Sequence, residues 1–525
     1  MRILRPGGLE KMLPIILAVV LVALIAMSGY FGSTWDEGFH HHYGNVIFNF
    51  FASGFKDQAA LSYSNLYLYG GLFDLLCILA EKIFSHAPVY AVRHAVNAAV
   101  GWIGIVYAAR LARLVGGAPA SCVTIVFLLL SPTYVGHMMN NPKDIPFSSM
   151  YAMAIFYIAR YLQNSLSSTK DLIKVIVSIA LAINIRVGGM ILLSYLLLWI
   201  CCYYLWNVWA HRSIKPLLRF KFIFLVVVVP ITIIPLATVF WPWAAHSPYV
   251  RVFEALSIMS HFKDAGDLIF EGQRVSSHAL PWSYVPLLLG LTTPLIVQVG
   301  VISSLVRMLF KKTDPIVLCI LFSGLFPVVY VIAVKAVLYD SIRHLLFVYP
   351  PLVVFSSLGI VEIARKINSF SYLARNVAAS TAILAGLILG AHPFVFHLNN
   401  FPNQTVYFNQ LIGGVRGAVG RFELDYWGNF QFEALRWIIQ QAKRAGSPVE
   451  VSSNNHHIVK MSPIDASEWV KFTGETWDTD YFIHHYRFVY KSDLNTDGVI
   501  HQVTADGVPL CVVKYGSKKQ VKQGS

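Results

Sequence analysis

The sequence predicts a polytopic α-helical membrane protein with a small α/β domain after the last membrane span. Of its 525 residues, 56% are hydrophobic and only 13% are charged, whereas a soluble domain carries roughly 25% charged residues. Apolar stretches of about 20 residues, the length that crosses a bilayer, recur along the chain. This composition excludes an ordinary cytosolic protein, and the aromatic share of 14% excludes a disordered one.

The apolar stretches predict about eleven membrane spans within residues 1–395. The first follows a short basic leader, and its length and lack of a small-residue cleavage site favour an uncleaved signal anchor over a signal peptide. The segment 172–185 is short, so it forms either its own span or half of a bent helix. The predicted spans are 13–31, 92–109, 118–136, 145–162, 172–185, 188–209, 220–241, 284–308, 315–334, 345–363 and 372–393.

Basic residues between the spans predict the orientation of the chain. With eleven spans, the main basic clusters fall on one side, which the positive-inside rule assigns to the cytoplasm. The N-terminus is then cytoplasmic and the C-terminal domain periplasmic, as in a bacterial inner membrane. The stretch 65–84, within the first outer loop 32–91, is expected to lie on the membrane surface as a helix, because a twelfth span would invert every later loop. The clusters begin at Arg110, Lys170, Arg212, Arg307 and Arg365.

The formal net charge of +14 follows from this orientation. From residue 399 onward the chain carries thirteen Lys and Arg residues against twelve Asp and Glu residues. The positive excess therefore lies in the membrane region, mostly in its cytoplasmic loops. We expect no nucleic-acid partner.

The region 396–515 has ordinary charge density and predicts a small α/β domain outside the membrane. An amphipathic pattern predicts a helix at 430–445, and a strand follows at 449–452. Three further strands are predicted near the end of the chain, where Asp497-Gly498 and Asp506-Gly507 are hairpin signals. The tail, 516–525, is predicted to be disordered. The three strands are 486–490, 499–503 and 509–515.

Two adjacent carboxylates, Asp36 and Glu37, follow the first predicted span. Ionisable groups near membrane depth are costly and often functional, and a carboxylate here can act as a general base on an acceptor hydroxyl. The alternative is an acidic first turn of a helix. Asp36 and His40 would share a helical face, so His40 and His41 are weak candidates for a divalent metal. Interfacial hydrogen bonding explains these histidines at least as well.

A second acidic loop contains Lys143 and Asp144 after Asn141-Pro142. Both side chains would face the same outer surface as Asp36. The alternative is a capped turn with one solvated ion pair. Arg93 and Arg186 are weaker candidates for binding an anionic group.

A third group, Tyr339, Asp340, Arg343 and His344, leads into a late span. Arginine suits phosphate because its planar fork donates two parallel hydrogen bonds; the alternative is a snorkelling interfacial arginine. Near the start of the C-terminal domain, Asp425 and Trp427 are candidates for binding an acceptor or a sugar. A packed domain junction explains that pair equally well.

Together these residues resemble the GT-C glycosyltransferases, and most closely their protein O-mannosyltransferase and aminoarabinose transferase branch, which is glycosyltransferase family 39-like. The resemblance covers roughly residues 10–395. It rests on the order and common side of short motifs. These motifs are Asp36-Glu37, Asn141-Pro142-Lys143-Asp144, Trp241-Pro242, Leu280-Pro281-Trp282 and Arg343-His344. The sequence departs from the family in its three histidines after the acidic pair, and it lacks the hydrophilic repeat domain of eukaryotic members.

The resemblance implies an inverting transfer of a sugar from a polyprenyl-phosphate donor to a hydroxyl of a glycan, lipid or protein. It implies that Asp36 is the base, supported by Glu37. Arg343 and Lys143 would stabilise the phosphate leaving group, and Asp144 would orient the acceptor or Lys143. A transporter or flippase of lipid-linked sugars is the alternative. That class would show charges near mid-span and internal repeats, which the sequence lacks. A non-catalytic scaffold is a second alternative.

Overall fold

A computed structural model of the protein describes residues 6–212, 220–260, 262, 266–461, 466–487 and 497–523. Helices dominate the chain as far as Asn399. They are α1 (Pro6–Ser28), α2 (Trp35–Ala52), α3 (Leu72–Ile83), α4 (Val89–Leu129), α5 (Pro132–Asn140), α6 (Asp144–Gln163), α7 (Thr169–Ile185), α8 (Met190–His211), α9 (Phe220–Ile223), α10 (Val229–Ala237), α11 (Pro242–Ala245), α12 (Pro248–Ser260), α13 (Tyr284–Thr292), α14 (Leu295–Phe310), α15 (Pro315–Ala333), α16 (Tyr349–Asn368) and α17 (Tyr372–Asn399).

Seven helical segments within the described ranges are long and apolar enough to cross a membrane, or eight if the bent pair α13 and α14 counts as one span. The polytopic helical architecture is confirmed. By length and composition, however, fewer helices qualify as membrane spans than the roughly eleven that were predicted. The predicted span 92–109 lies within α4. The predicted span 118–136 begins after Gly117, which breaks the helix with a φ of 77°, and it extends into α5. The spans predicted at 145–162 and 172–185 correspond to α6, which carries polar residues, and to α7, which has only 17 residues.

The interior of the helical region is built around α6, whose residues are almost all buried. Helices α4, α7 and α16 pack around it, and α14 crosses α16 closely. A Cβ atom at Gly300 would overlap Ser356 of α16, so only glycine permits this crossing. The ends of α6 and of its neighbours are thereby held in fixed positions.

The first long loop contains two helices, of which one was predicted from the sequence. Helix α2 begins at Trp35 with a capping box, in which Thr34 and Glu37 exchange side-chain and backbone contacts. The predicted surface helix at 65–84 is shorter than expected, since α3 covers Leu72–Ile83 and a single 3₁₀ turn precedes it. Asp74, in the first turn of α3, is buried.

The loop after α12 contains a small antiparallel hairpin of β1 (Asp267–Phe270) and β2 (Gln273–Ser276). This hairpin was not predicted, and its clearest local signal is Gly272, whose φ of 82° suits the tight turn. Phe270 forms a bridge to Phe422. The hairpin therefore contacts the start of the C-terminal region.

The C-terminal region folds into a mixed five-stranded sheet with helices, as predicted. Its elements are α18 (Gly414–Ala418), α19 (Phe430–Ala445), β3 (Val449–Ser453), α20 (His456–Lys460), β4 (Val470–Phe472), β5 (Tyr481–His485), β6 (Val499–Ala505), β7 (Val508–Tyr515) and α21 (Ser517–Gln523). The strand order is β4-β3-β5-β7-β6. Strand β3 runs parallel to β4 and β5, and β7 pairs antiparallel with β5 and β6.

Helix α19 covers the sheet with its apolar face and matches the predicted helix at 430–445. It is followed by Gly446, whose φ of 68° is the left-handed conformation that glycine adopts at helix C-termini. Two predictions for this region need correction. The predicted strand at 486–490 is displaced, since β5 ends at His485, and residues 488–490 lie outside the described residues. The predicted disordered tail contains α21, whose Ser517 hydroxyl donates to the Trp477 carbonyl.

Candidate active site

Three chain segments bring opposite charges together at one end of the helical region. Asp36 lies in the first turn of α2, Lys143 directly precedes α6, and Arg343 begins a 3₁₀ helix that leads into α16. The Asp36 Oδ2 atom lies 3.1 Å from Arg343 Nη1 and 3.5 Å from Lys143 Nζ. The structure thus joins the predicted acid to the two cations predicted for the phosphate.

Two further carboxylates surround Arg343, whose side chain is only 3% exposed. Its Nη2 atom lies 2.9 Å from Asp340 Oδ2, and its Nη1 atom lies 3.7 Å from Asp144 Oδ2. Asp144 also pairs with Arg186. The predicted residues Asp144, Arg186 and Asp340 therefore belong to one charged network with Asp36, Lys143 and Arg343, which we call the central cluster.

Local backbone features position these charges. The Asn141 side-chain oxygen accepts hydrogen bonds from the backbone N–H groups of Lys143 and Asp144, at 3.3 and 2.9 Å, as in an Asx turn. Asp340 and Ser341 have φ values of 56° and 60°, a left-handed conformation that is costly for residues other than glycine. Two ion pairs hold Asp340, one to Arg343 and one of 2.6 Å to Arg487.

The C-terminal domain supplies one wall of the central cluster. The Arg343 guanidinium lies 4.8 Å from the ring centre of Trp427. Trp427 Nε1 donates a hydrogen bond of 3.2 Å to His137 Nδ1, and Asn141 donates to the same atom at 3.1 Å. His137 Nδ1 is thus an acceptor, and the opposite nitrogen donates to Tyr426 at 2.9 Å. Burial lowers the pKa of His137 to about 3, which keeps this connecting imidazole neutral.

Asp36 is ionised in this environment. Burial alone would raise the pKa of its carboxyl, but Lys143 and Arg343 outweigh burial and hold the pKa well below its usual range. The side chain retains 26% exposure, which it owes to an adjoining cavity. A charged acceptor of hydrogen bonds is therefore accessible at the cluster.

Two adjoining cavities open beside the central cluster. A polar cavity of about 200 Å³ is lined by Asp36, His40 and Lys143. A larger cavity of about 420 Å³ is mostly apolar and has Arg186 and His344 among its polar lining residues. Both cavities are also lined by Tyr69, Phe262 and Tyr339. Tyr339 itself contacts His344 edge-on and Arg343 by its ring face.

Some predicted site residues lie in a second buried network, which we call the histidine cluster. His40 Nδ1 lies 2.9 Å from Asp74, and Arg93 pairs with both Asp74 and Glu81. Arg93 is therefore separate from Lys143 and Arg343, contrary to its predicted place at the phosphate. His41 pairs with Glu81 at 3.1 Å. The histidine cluster consists of His40, His41, Asp74, Glu81 and Arg93.

Glu37 and Asp425 occupy structural positions instead of facing the cavities. Glu37 accepts from the Thr34 backbone N–H and from His94 Nε2, both across buried contacts, so the helix-cap alternative describes it. Asp425 accepts from the backbone N–H groups of residues 428, 429 and 430 and from His485. Its fully buried carboxylate is saturated by these donors, which leaves no oxygen for a sugar.

The weak metal candidates His40 and His41 pair with Asp74 and Glu81. Across the described part of the chain, no group of three or more His, Cys, Asp or Glu side chains is placed to hold a metal ion. Two residues that hold the clusters together, Arg487 and Asp74, were not predicted. Arg487 lies in a loop, and the residues around Asp74 in the sequence are typical of a surface helix. No local sequence pattern therefore marks either residue as part of the site.

Comparison with protein families identifies a match over residues 72–234, to the family described as dolichyl-phosphate-mannose-protein mannosyltransferase. This match confirms the predicted resemblance to the protein O-mannosyltransferase branch. It also confirms a glycosyltransferase that uses lipid-phosphate sugars. No curated protein sequence matches the chain.

Comparison with solved structures finds chains of similar fold. ArnT from Cupriavidus metallidurans in the apo state has a TM-score of 0.50 and 12% identity, over 96% of this chain and 97% of that chain. The same protein bound to undecaprenyl phosphate has a TM-score of 0.48 and 13% identity, over 96% and 97%. Archaeal oligosaccharyltransferase AglB from Archaeoglobus fulgidus, in complex with an inhibitory peptide and a dolichol-phosphate, has a TM-score of 0.47 and 12% identity, over 90% and 70%. The likeness to apo ArnT confirms the predicted fold class.

Proposed function

We propose that this membrane glycosyltransferase moves a sugar from a polyprenyl-phosphate donor to an acceptor hydroxyl, with inversion at the anomeric carbon. The observation that carries the proposal is the pair of adjoining cavities. One is apolar and has Arg186 at its wall; the other is polar and exposes Asp36. A polyprenyl-phosphate sugar has a matching division into an apolar chain, an anionic centre and a polar sugar.

The two cavities would orient the donor. The prenyl chain would occupy the apolar cavity, where burial of its methyl and methylene groups favours binding. The phosphate would lie between the two cavities and contact Arg186, Lys143 and Arg343, with His344 beside it. Guanidinium groups in a partly dry cleft stabilise the negative charge that develops on a leaving phosphate. The sugar would then occupy the polar cavity.

Asp36 is the proposed base. Its ionised carboxylate would accept the proton of the acceptor hydroxyl while that oxygen attacks the anomeric carbon. The carbon–oxygen bond to the phosphate breaks, and its electron pair remains on the phosphate oxygen. Since attack and departure occur on opposite faces, the configuration inverts. Asp144 would position Arg186 and Arg343, with which it pairs; Glu37 supports Asp36 only through the first turn of α2.

Tyr339 and Asp340 are proposed to shape the acceptor side, Tyr339 by lining both cavities and Asp340 by holding Arg343. Trp427 belongs to the same wall. The site lies at the end of the helical region that the C-terminal domain covers, and the basic loops predict that this end faces the periplasm. The acceptor is a glycan, lipid or protein that reaches this side of the membrane.

The test is sugar transfer by purified protein in detergent or liposomes, with a panel of undecaprenyl- and dolichyl-phosphate sugars as donors and mannose and aminoarabinose among the sugars. Asp36→Asn keeps the shape of the side chain and removes its basicity, so we expect transfer to fall by about 10²–10⁴-fold. Asp267→Asn is the matched control, because the Asp267 side chain is exposed and pairs with the exposed Arg274. Transfer by Asp36→Asn at the wild-type rate would contradict the assignment.

A further inference from the structure

We propose that His40, hydrogen-bonded to Asp74, is a further catalytic residue. It accepts from Asp36 the proton that is removed from the acceptor hydroxyl. This inference rests on the proposed glycosyl transfer and adds a second proton-carrying group to it. It is carried by the contacts of His40, by its place in the polar cavity and by its relation to Asp36 along α2.

The contacts of His40 fix the state of its ring. His40 Nδ1 lies 2.9 and 3.1 Å from the two oxygens of Asp74. Because a carboxylate only accepts hydrogen bonds, Nδ1 carries a hydrogen and donates it. In the neutral ring the lone pair is then on Nε2. This buried Nε2 atom has no hydrogen-bond partner among the described residues.

Asp74 is itself held in place. Arg93 Nη2 lies 3.4 Å from Asp74 Oδ1, and Arg93 Nη1 lies 3.1 Å from Glu81. Both Asp74 and His40 have side chains that are 4% exposed. An imidazole that donates to an oriented, buried carboxylate is stabilised when it becomes an imidazolium. The Arg93–Asp74–His40 chain of contacts would therefore stabilise a proton on His40.

His40 also lies at the polar cavity. It lines the polar cavity together with Asp36 and Lys143. Asp36 and His40 are four residues apart on α2, so their side chains lie on the same face of the helix. A proton taken up by Asp36 can thus pass to Nε2 within that cavity, directly or through one water.

This transfer solves a difficulty in the use of Asp36 as the base. Lys143 and Arg343 keep Asp36 ionised, and the same cations disfavour a protonated Asp36 after the reaction. In the complete step, the acceptor oxygen bonds to the anomeric carbon and the bond to the phosphate oxygen breaks. The electron pair stays on the phosphate. The proton moves from the hydroxyl to the Asp36 carboxylate and then to His40 Nε2, and product release returns it to water.

The step gives transfer an acid limb, because His40 must be neutral before each turnover in order to accept a proton. The rate should therefore fall on the acid side of its pH profile, and this fall should require His40. The titratable and charged groups around His40 come from its own helix, from α3, from α4, from the turn before α6 and from the cavity wall. They are Asp36, Asp74, Arg93, Lys143, Tyr69 and Tyr339.

The experiment measures the pH profile of kcat, the KM for donor and the binding of undecaprenyl phosphate for three variants. His40→Asn keeps an amide that can donate to Asp74 but removes the basic Nε2 atom. Asp74→Asn keeps the shape of the partner and removes the charge that stabilises the imidazolium. The control is His42→Asn, because His42 is an exposed neighbour on the same helix that contacts Tyr63.

We expect His40→Asn to lower kcat by about 10²-fold, to abolish the acid limb and to leave undecaprenyl phosphate binding unchanged. Asp74→Asn should lower kcat by about 10-fold, and it provides the test if His40→Asn does not fold. A His40→Asn protein with wild-type kcat and the same acid limb would overturn the proposal, and so would a loss confined to KM. If Asp36→Asn abolishes transfer in that case, the proposed function stands without this relay. A wild-type protein that transfers no sugar from any donor would overturn both.

Discussion

Arg343 contacts three carboxylates of the central cluster, so its substitution should affect both stability and transfer. In Arg343→Met a flexible apolar side chain replaces the guanidinium, and three carboxylates lose one cation each. Each keeps another: Asp36 keeps Lys143 at 3.5 Å, Asp340 keeps Arg487 at 2.6 Å and Asp144 keeps Arg186. Removal of one member of a buried ion pair costs about 3–5 kcal/mol. Because each carboxylate retains a partner, we expect the lower end, about 3 kcal/mol.

The effect on transfer should be separate from the effect on stability. A hydrogen bond to a charged group contributes about 1.5–3 kcal/mol, which corresponds to a loss of roughly 10–150-fold in rate. Arg343→Lys retains the charge but not the planar fork. A single ammonium group cannot reproduce the separate contacts of Nη1 with Asp36 and of Nη2 with Asp340. The lysine variant should therefore recover most of the stability and less of the transfer.

The assay pairs thermal unfolding in detergent with sugar transfer from the best donor in the panel. Arg421→Met is the matched control, because Arg421 is half exposed and lies 3.9 Å from the equally exposed Glu271. We expect the control to behave like the wild type. An Arg343→Met protein with wild-type unfolding temperature and wild-type transfer would refute the reasoning, since neither the ion pairs nor the phosphate contact would then matter.

Three further predictions concern the walls of the site. Trp427→Phe keeps an aromatic ring but loses the hydrogen bond to His137, so we expect about 1 kcal/mol lower stability; Trp427→Ala should lose about 3–5 kcal/mol and most transfer, and equal unfolding temperatures would contradict this. Gly188→Leu should fold normally, because a Cβ there meets no atom within 4 Å; since Gly188 lines the apolar cavity, we expect the KM for long-chain donors to rise, and an unchanged KM would remove the prenyl chain from that cavity. Burial, and secondarily Asp340, raise the pKa of Glu423 to about 8. The folded state then binds a proton that the unfolded state has released, so stability should fall as pH rises from about 5 to 8, by at most about 1.4 kcal/mol per pH unit. Glu423→Gln should flatten that decline in unfolding temperature, and an equal decline in both proteins would contradict it.

The helical architecture could be predicted because apolar runs long enough to cross a bilayer are rare outside membrane proteins. The limits of the individual spans could not be predicted. The spans predicted at 92–109 and 118–136 lie on either side of the kink at Gly117, and the second continues past Leu129 into α5. A helix that begins near Asp36 was considered only as an alternative, and the length of α2, Trp35–Ala52, was not predicted. The amphipathic α19 was predicted to the residue, since its apolar face and terminal Gly446 are both local signals.

The candidate site was predictable where the sequence placed charges at helix starts on one side of the bundle. Asp36, Lys143 and Arg343 meet for this reason. Adjacency in sequence was a poorer guide to which side chains share a site, since successive residues on a helix point about 100° apart. Asp36 therefore reaches the cavity, while Glu37 turns back to Thr34 and His94.

Partners that arrive from distant segments have no local signal at all. His40 meets Asp74 through the packing of α2 on α3. For Asp425, sugar binding and a packed domain junction were equally good explanations, because the sequence does not show that the following backbone amides donate to its carboxylate. Such contacts depend on tertiary packing, which a local pattern does not encode.

A structure of the protein with undecaprenyl phosphate bound would test the proposed donor site most directly. We expect a phosphate within hydrogen-bond distance of Arg343, Lys143 or Arg186, and a prenyl chain in the apolar cavity lined by Gly188 and Phe347. Asp36 should then face the space left for the sugar. A phosphate bound at Arg93 in the histidine cluster, or a prenyl chain outside the apolar cavity, would contradict the proposed site.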